Sequence, residues 1–162
     1  MYTLYYSKGS SALAPHILLL ELGADVALVE VPIPQGAHQT PEFLARNPKG
    51  RVPLLDMPQG SLTENPAMLE YLATVHSDAG LLPEGAFAQA RARELCAYLC
   101  ATAHIAFAHK LRGKRWAQDP DALADMQKYV PKNLSDCATY LESTLPLKPW
   151  ALGNDYSFCD PY

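Results

Sequence analysis

Aromatic and aliphatic side chains fill positions 2–6, and positions 7–11 are serine, lysine and glycine, so a short strand running into a turn is predicted. The next stretch, 12–22, is apolar and closes on Gly23, the pattern of a helix with a glycine stop. Ser11 stands where an N-cap belongs, and Pro15 is tolerable because it falls in the first turn. Residues 25–31, DVALVEV, predict a second strand, and the proline-rich PIPQGAHQ breaks regular structure after it. Thr40 and Pro41 supply a cap and a first-turn proline for a short helix over EFLAR, and Asn47-Pro48-Lys49-Gly50 reads as a turn. Two more strands are predicted at 52–55 and 61–63. Met68, Leu69, Leu72 and Val75 then recur with the spacing of one helix face over 66–76.

Beyond this point the pattern changes. Residues 77–85 are rich in glycine, proline and polar side chains, which predicts an interdomain linker. Residues 86–115 read as an alanine-rich helix, and 120–145 as a second long one. The order β-α-β-α-β-β-α followed by helices alone predicts an α/β domain over 1–80, with a mixed four-stranded sheet, beside an all-α domain over 86–162. Ser157 and Asp160 form the S-x-x-D pattern that opens a helix, and the sequence stops two residues later. The expectation is a longer parent whose last helices lie beyond this chain.

Composition adds exclusions. Of the 162 residues, 49% are hydrophobic and 19% charged, so the chain can bury a core. A net charge of −4 argues against a general nucleic-acid surface. The aliphatic run at 17–20 is ended by Glu21, too short to span a bilayer, and MYTLYYSKGS has no signal-peptide pattern. A cytoplasmic protein that does not engage a membrane is expected. Four cysteines, Cys96, Cys100, Cys137 and Cys159, form no C-x-x-C pair and are expected to be free thiols. Cys96, Cys100 and His104 share a helix face, but ligands stretched over about 12 Å of helix do not converge on one ion, so no metal is expected. Lys110, Arg112, Lys114 and Arg115 form a basic cluster, read first as a solvated face and second as a site for an anionic electrophile or a partner carboxylate.

Several segments together resemble one family. LYYSKGSSALAPHILLLELG is similar to the first strand, turn and helix of bacterial beta-class members of the cytosolic glutathione transferases. NPKGRVPLL resembles their approach to a cis-proline strand, TEN their TES or TEG, HIAFAHKLRGKRW their interdomain-facing helix, and YSFCDPY the cap of their central C-terminal helix. The resemblance spans the chain and keeps the motif order. It implies a thioredoxin-like glutathione-binding domain and a helical domain, glutathione as co-substrate, a small hydrophobic electrophile as second substrate, and a homodimer. It also implies transfer of the glutathione thiolate to that electrophile. A non-catalytic glutathione-binding or regulatory module, or another glutathione reaction such as peroxide reduction or dehalogenation, is the alternative.

Carried onto this sequence, the resemblance implies the following roles. Ser11 takes the place of the beta-class cysteine; its hydroxyl, at a helix start, either supports a thiolate or simply caps the helix, and unlike cysteine it forms no mixed disulfide. Ser10 lies in the same turn. Tyr6 matches the tyrosine near the beta-class site and equally reads as a strand residue packed on the core. Val52, before a cis Pro53, offers its N–H and C=O to the cysteinyl part of glutathione as an added strand. Glu64 and Asn65, at a helix start, face the γ-glutamyl end, Glu64 accepting from its ammonium. Gln35 and His38 are assigned to the glycyl end. His104 aligns with the histidine that faces the glutathione sulfur, and is either an acid–base group or a packed interior histidine.

Overall fold

The computed structural model describes residues 1–162. Four strands, β1 (Tyr2–Tyr6), β2 (Val26–Glu30), β3 (Leu54–Met57) and β4 (Gly60–Thr63), form one sheet in the order β2-β1-β3-β4. β1 and β2 run parallel, with Leu4 opposite Leu28, and parallel neighbours need a crossover, here helix α1 (Leu13–Glu21). β3 lies antiparallel to β1, Leu55 opposite Leu4, and β4 returns antiparallel to β3 after Pro58 and Gln59. Helix α2 (Pro41–Arg46) opens as its sequence predicts: the Thr40 hydroxyl accepts from the Phe43 N–H at 3.3 Å. Helix α3 (Asn65–Val75) follows the sheet. This is a thioredoxin-like mixed sheet followed by helices.

Adjacent strand residues point to opposite faces, so Leu4 and Leu55 face one way and Tyr5 and Leu54 the other. On the first face Leu18 and Leu19 of α1 meet Met68, Leu69, Leu72 and Ala73 of α3. Val75, placed on that face by its spacing, is instead 47% exposed, and Ala73 takes the inward position one turn after Leu69. On the second face Val31, Phe43 and Leu54 form a smaller cluster.

The first cluster continues into the helical region. Helix α4 (Ala86–Tyr98) contributes Ala92, Leu95 and Cys96, and the chain's last turn contributes Phe158 and Cys159. The segment read as a linker is pinned there as well: Leu81 is buried and its C=O accepts from the Phe158 N–H at 3.0 Å. Asp160 holds the turn it belongs to, its carboxylate accepting from the Ser157 and Ala151 N–H groups at 2.8 Å each. The S-x-x-D pattern is thus realised as the reach-back half of a capping box.

Residues 86–115 do not form the single helix predicted. α4 ends at Tyr98, a π-helical turn spans Leu99–Ala103, in which the His104 N–H reaches the Leu99 C=O, and helix α5 (His104–Arg112) follows. One inserted residue leaves composition and propensity untouched, yet it rotates everything after it on the helix. Helix α6 (Pro120–Thr144), capped by the Asp119 carboxylate and containing Pro131, packs on α5. Gly113 permits that approach, since a Cβ there would stand 3.0 Å from Leu123 Cδ2.

Gly50 closes the turn before β3 at φ +58°, and a Cβ would lie 2.5 Å from Gln39 Nε2 and 3.1 Å from the His38 carbonyl oxygen. Gly50→Ala is therefore expected to lower stability by roughly 1–2 kcal/mol, the cost of a left-handed residue with a side chain. Urea unfolding checks this; an unchanged midpoint would contradict it.

Candidate functional site

α1 starts one residue later than its sequence suggests. The Leu13 and Ala14 N–H groups bond back to the Ser10 and Ser11 carbonyls, so residues 10–13 form a turn and Ala12 occupies the cap position. Ser11 is not the cap. Its neighbour Ser10 braces the turn, accepting from the Ser7 and Ala12 N–H groups at 3.4 Å. The hydroxyl and N–H of Ser11 are engaged by no group in the chain.

Ser11 lines a cavity of about 270 Å³ between the sheet region and the helices. The sheet side supplies Lys49, Arg51, Val52, Pro53 and the run Thr63-Glu64-Asn65. The Val52–Pro53 peptide is cis, as the resemblance implied. Neither the N–H nor the C=O of Val52 bonds within the chain, so both are open to a ligand strand. Asn65, the first residue of α3, is buried and donates from Nδ2 to the Ser11 C=O at 2.8 Å, fixing the turn against the helix start. Its Oδ1 is buried without a partner. Glu64 caps α3 at φ +73°, an uncommon conformation for a side-chain-bearing residue and the kind of outlier that collects at sites. Lys49 Nζ meets its carboxylate at 2.7 Å and the Thr63 hydroxyl at 2.6 Å.

The helical side supplies Cys100 from the π turn, His104, Ile105, Ala108 and Arg112 from α5, Arg115 and Trp116 beyond it, and Tyr162. Arg112 Nη2 stands 2.7 Å from His104 Nε2. A guanidinium has donors only, so Nε2 accepts and the ring is neutral with its proton on Nδ1. Burial holds the His104 pKa below its usual range, and Arg112, Arg51 and Arg115 push the same way, with Glu64 opposing. The lone pair a general base would use at Nε2 is therefore committed to Arg112; His104 positions that arginine. Burial, then Glu64, raises the Cys100 thiol, so this cysteine is no ready substitute for the beta-class cysteine. Burial, then Cys100, pushes the Tyr162 phenol up to about 12, keeping it a neutral hydroxyl.

The unfolded pKa of His104 is about 6.5 and the folded one lower, so between the two the unfolded chain binds more protons than the folded one, and stability falls as pH drops through the folded value. The loss of stability between pH ~7.5 and ~5.5 is expected to be smaller in His104→Gln than in wild type. Equal losses in urea titrations of the two proteins would contradict the half-buried neutral histidine.

The structure brings Ser11, Val52, Pro53, Glu64, Asn65 and His104 to one cavity. It does not bring Tyr6, Ser10, Gln35 or His38 to its lining. Tyr6 stays in β1, its C=O accepting from the Val31 N–H at 2.7 Å. Gln35 is exposed on the 3₁₀ turn Ile33–Gln35, and His38 lies on the next, Ala37–Gln39, with Nδ1 buried and unpaired. That segment closes against Gly50 instead of over the cavity. Lys49, Arg51, Cys100 and Tyr162 escaped the sequence reading: Lys49 and Arg51 sit in or beside a turn motif, and only the closed fold shows what they face.

Residues 1–74 match the family described as glutathione S-transferase, N-terminal domain. Over 162 residues the chain is 30% identical to the glutathione S-transferase GstA of Escherichia coli O157:H7, covering 98% of this chain and 77% of the relative. Among solved structures, a glutathione transferase homologue from Sulfitobacter with bound glutathione superposes with a TM-score of 0.97 at 39% identity, covering 100% of this chain and 78% of that one. A beta-class glutathione S-transferase from Sphingomonas chungbukensis gives a TM-score of 0.82 at 30% identity over 99% of this chain and 78% of its own.

Proposed function

Because the chain belongs to the glutathione S-transferase family, we propose that the cavity holds glutathione as its thiolate and transfers it to a small electrophile. The observation that carries this reading is the pairing of open groups: Ser11 N–H and hydroxyl beside the unpaired backbone of Val52, in a cavity that ends at the start of α3. Glutathione lies along Val52 as an added strand, its cysteinyl N–H and C=O taking the Val52 partners. Its γ-glutamyl carboxylate takes the α3 start and Thr63, where the helix dipole favours an anion. The ammonium takes Glu64 and the unfilled Asn65 Oδ1, displacing Lys49 from an exposed and therefore weak ion pair.

The sulfur then stands at Ser11. Its thiol proton is lost to solvent, and the Ser11 donors stabilise the charge left behind. A sulfur lone pair forms the carbon–sulfur bond as the leaving group departs with its electron pair. In addition to a double bond, the carbanion formed takes a proton from water.

Residues 1–80 act as the glutathione-binding domain, and 86–162 supply the wall against the second substrate. The location proposed is cytoplasmic; no helix is long and apolar enough to cross a membrane. The test is calorimetric titration with glutathione, followed by turnover of an aryl halide. Saturable binding with halide release supports transfer; binding without release favours the non-catalytic module.

The assembly proposed is a homodimer joined through α4 and the partner's sheet region. Ala97 and Ala101 are exposed and available for close packing, whereas Ala106 and Ala108 are buried within their own chain and are not. Light scattering at micromolar concentration is expected to give twice the chain mass, with an interface above about 2,000 Å². A monomer would contradict it.

A further inference from the structure

Three arginines reach the cavity from opposite sides: Arg51 from the turn before β3, Arg112 from the end of α5 and Arg115 from the turn beyond it. None forms an ion pair; the ion pairs of the chain lie on the outer surface or at Lys49–Glu64. The one polar partner among them is His104, which accepts from Arg112 and holds its guanidinium in place. Burial and then Arg51 lower the Arg112 pKa; burial, Arg51 and Arg112 lower that of Arg115. Burial is the larger cause in both and the neighbouring arginines add to it; no carboxylate lies within ion-pair distance of any of the three. Lys110 and Lys114, in the same basic segment, do not line the cavity, so the segment is more than a uniformly solvated face.

Glutathione does not use up this charge. The lining carries four cations, Lys49, Arg51, Arg112 and Arg115, and one carboxylate, Glu64, a surplus of three positive charges with His104 neutral. Glutathione thiolate has two carboxylates, a thiolate and an ammonium, so it brings roughly two negative charges. About one positive charge remains, whichever arginine meets the glycyl carboxylate. Beside the arginines lie Ile105, Ala108 and Trp116, an apolar wall.

Resting on the transferase reading above, we propose that the second substrate is an electrophile bearing a carboxylate. The carboxylate is gripped by Arg112 and Arg115 with Arg51 opposite, and the apolar body lies on Ile105, Ala108 and Trp116. Arginine suits this task because its planar fork meets both carboxylate oxygens and it is charged at any working pH. The carboxylate takes no part in bond making; it fixes the electrophilic carbon against the sulfur at Ser11.

The test uses the full chain with glutathione and two electrophiles of the same ring pattern, a chloronitrobenzoate and the corresponding chloronitrobenzamide. In each the thiolate forms a carbon–sulfur bond at the chlorine-bearing carbon and chloride leaves with the bonding pair. Each kcat/KM is divided by the uncatalysed rate with glutathione, which removes the difference in intrinsic reactivity. Wild type is expected to favour the benzoate by about tenfold or more, as a charge-assisted hydrogen bond is strong enough to give. Arg115→Gln and Arg51→Gln should each cut that ratio several-fold, and added salt should shrink it because the arginines are partly exposed. The ratio is taken within one protein sample, so partial unfolding cancels. A wild-type ratio of one or less overturns the anionic substrate and leaves the transferase reading standing. A glutathione KM raised equally with both electrophiles, at constant ratio, assigns the arginines to glutathione and overturns it too. Failure of the wild-type chain to bind glutathione at all removes both readings.

Discussion

Ser11→Ala is expected to slow conjugation of an aryl halide by about tenfold to a hundredfold while leaving the fold intact. Ser11 is half-buried, caps nothing, and its hydroxyl bonds to no group of the chain, so its loss costs the protein little. Its value appears only when a charge stands beside it. A hydrogen bond to a charged acceptor contributes about 1.5–3 kcal/mol, and each pKa unit is about 1.36 kcal/mol. Removing the donor should therefore raise the pKa of bound glutathione by roughly one to two units. Binding follows by linkage with a definite sign. Below about pH 6 both proteins bind the protonated thiol and their affinities should coincide; above it wild type should bind more tightly, the gap widening until the free thiol titrates near ~8.5. Affinities offset by the same factor at every pH would mean that Ser11 acts by contact alone. Unchanged turnover would return the thiolate to other donors of the turn.

Phe158→Ala should cost about 3–5 kcal/mol, the range for deleting a large buried aromatic side chain, against a total stability of about 5–15 kcal/mol for a chain of this size. Phe158 is 1% exposed and belongs to the cluster that joins Leu4 and Leu55 of the sheet, Leu18 and Leu19 of α1, and Leu95 and Cys96 of α4. Because one cluster crosses from the sheet region to the helices, the loss should be felt by both. Urea unfolding followed by tryptophan fluorescence, which reports Trp116 and Trp150, and by circular dichroism should move together to a lower midpoint. A shift below about 1 kcal/mol, or helices that melt while the sheet stays folded, would show that the two regions do not share a core.

Much of this architecture was legible in the chain because it rests on local signals. The Thr40-Pro41 cap, the strand at 2–6, the glycine stop at Gly23 and the apolar spacing of Met68, Leu69 and Leu72 are each written within a few residues. Where a family motif marks backbone, as at Val52-Pro53 and Glu64-Asn65, the residues named from the sequence line the cavity. What escaped depends on closure. The bond from Asn65 Nδ2 to the Ser11 C=O joins two helix starts far apart in sequence, and it is the placement of α1, one residue late, that frees the Ser11 hydroxyl. The π turn at Leu99–Ala103 adds one residue to a helix without leaving a mark in its composition, yet His104 and Arg112 follow it. The basic segment was visible; that Arg112 and Arg115 turn toward Arg51 while Lys110 and Lys114 do not was a matter of helix phase. Gln35 and His38 do not reach the cavity lining, and a polar loop after a second strand carries no signal for which way it closes.

Glutathione held in this cavity as a thiolate absorbs in the ultraviolet, and that absorbance can be followed across pH in the wild-type chain saturated with glutathione against the protein alone. The expected result is a titration midpoint about one to two units below the ~8.5 of a free thiol. A midpoint at the free value, or no glutathione-dependent absorbance at all, would contradict it.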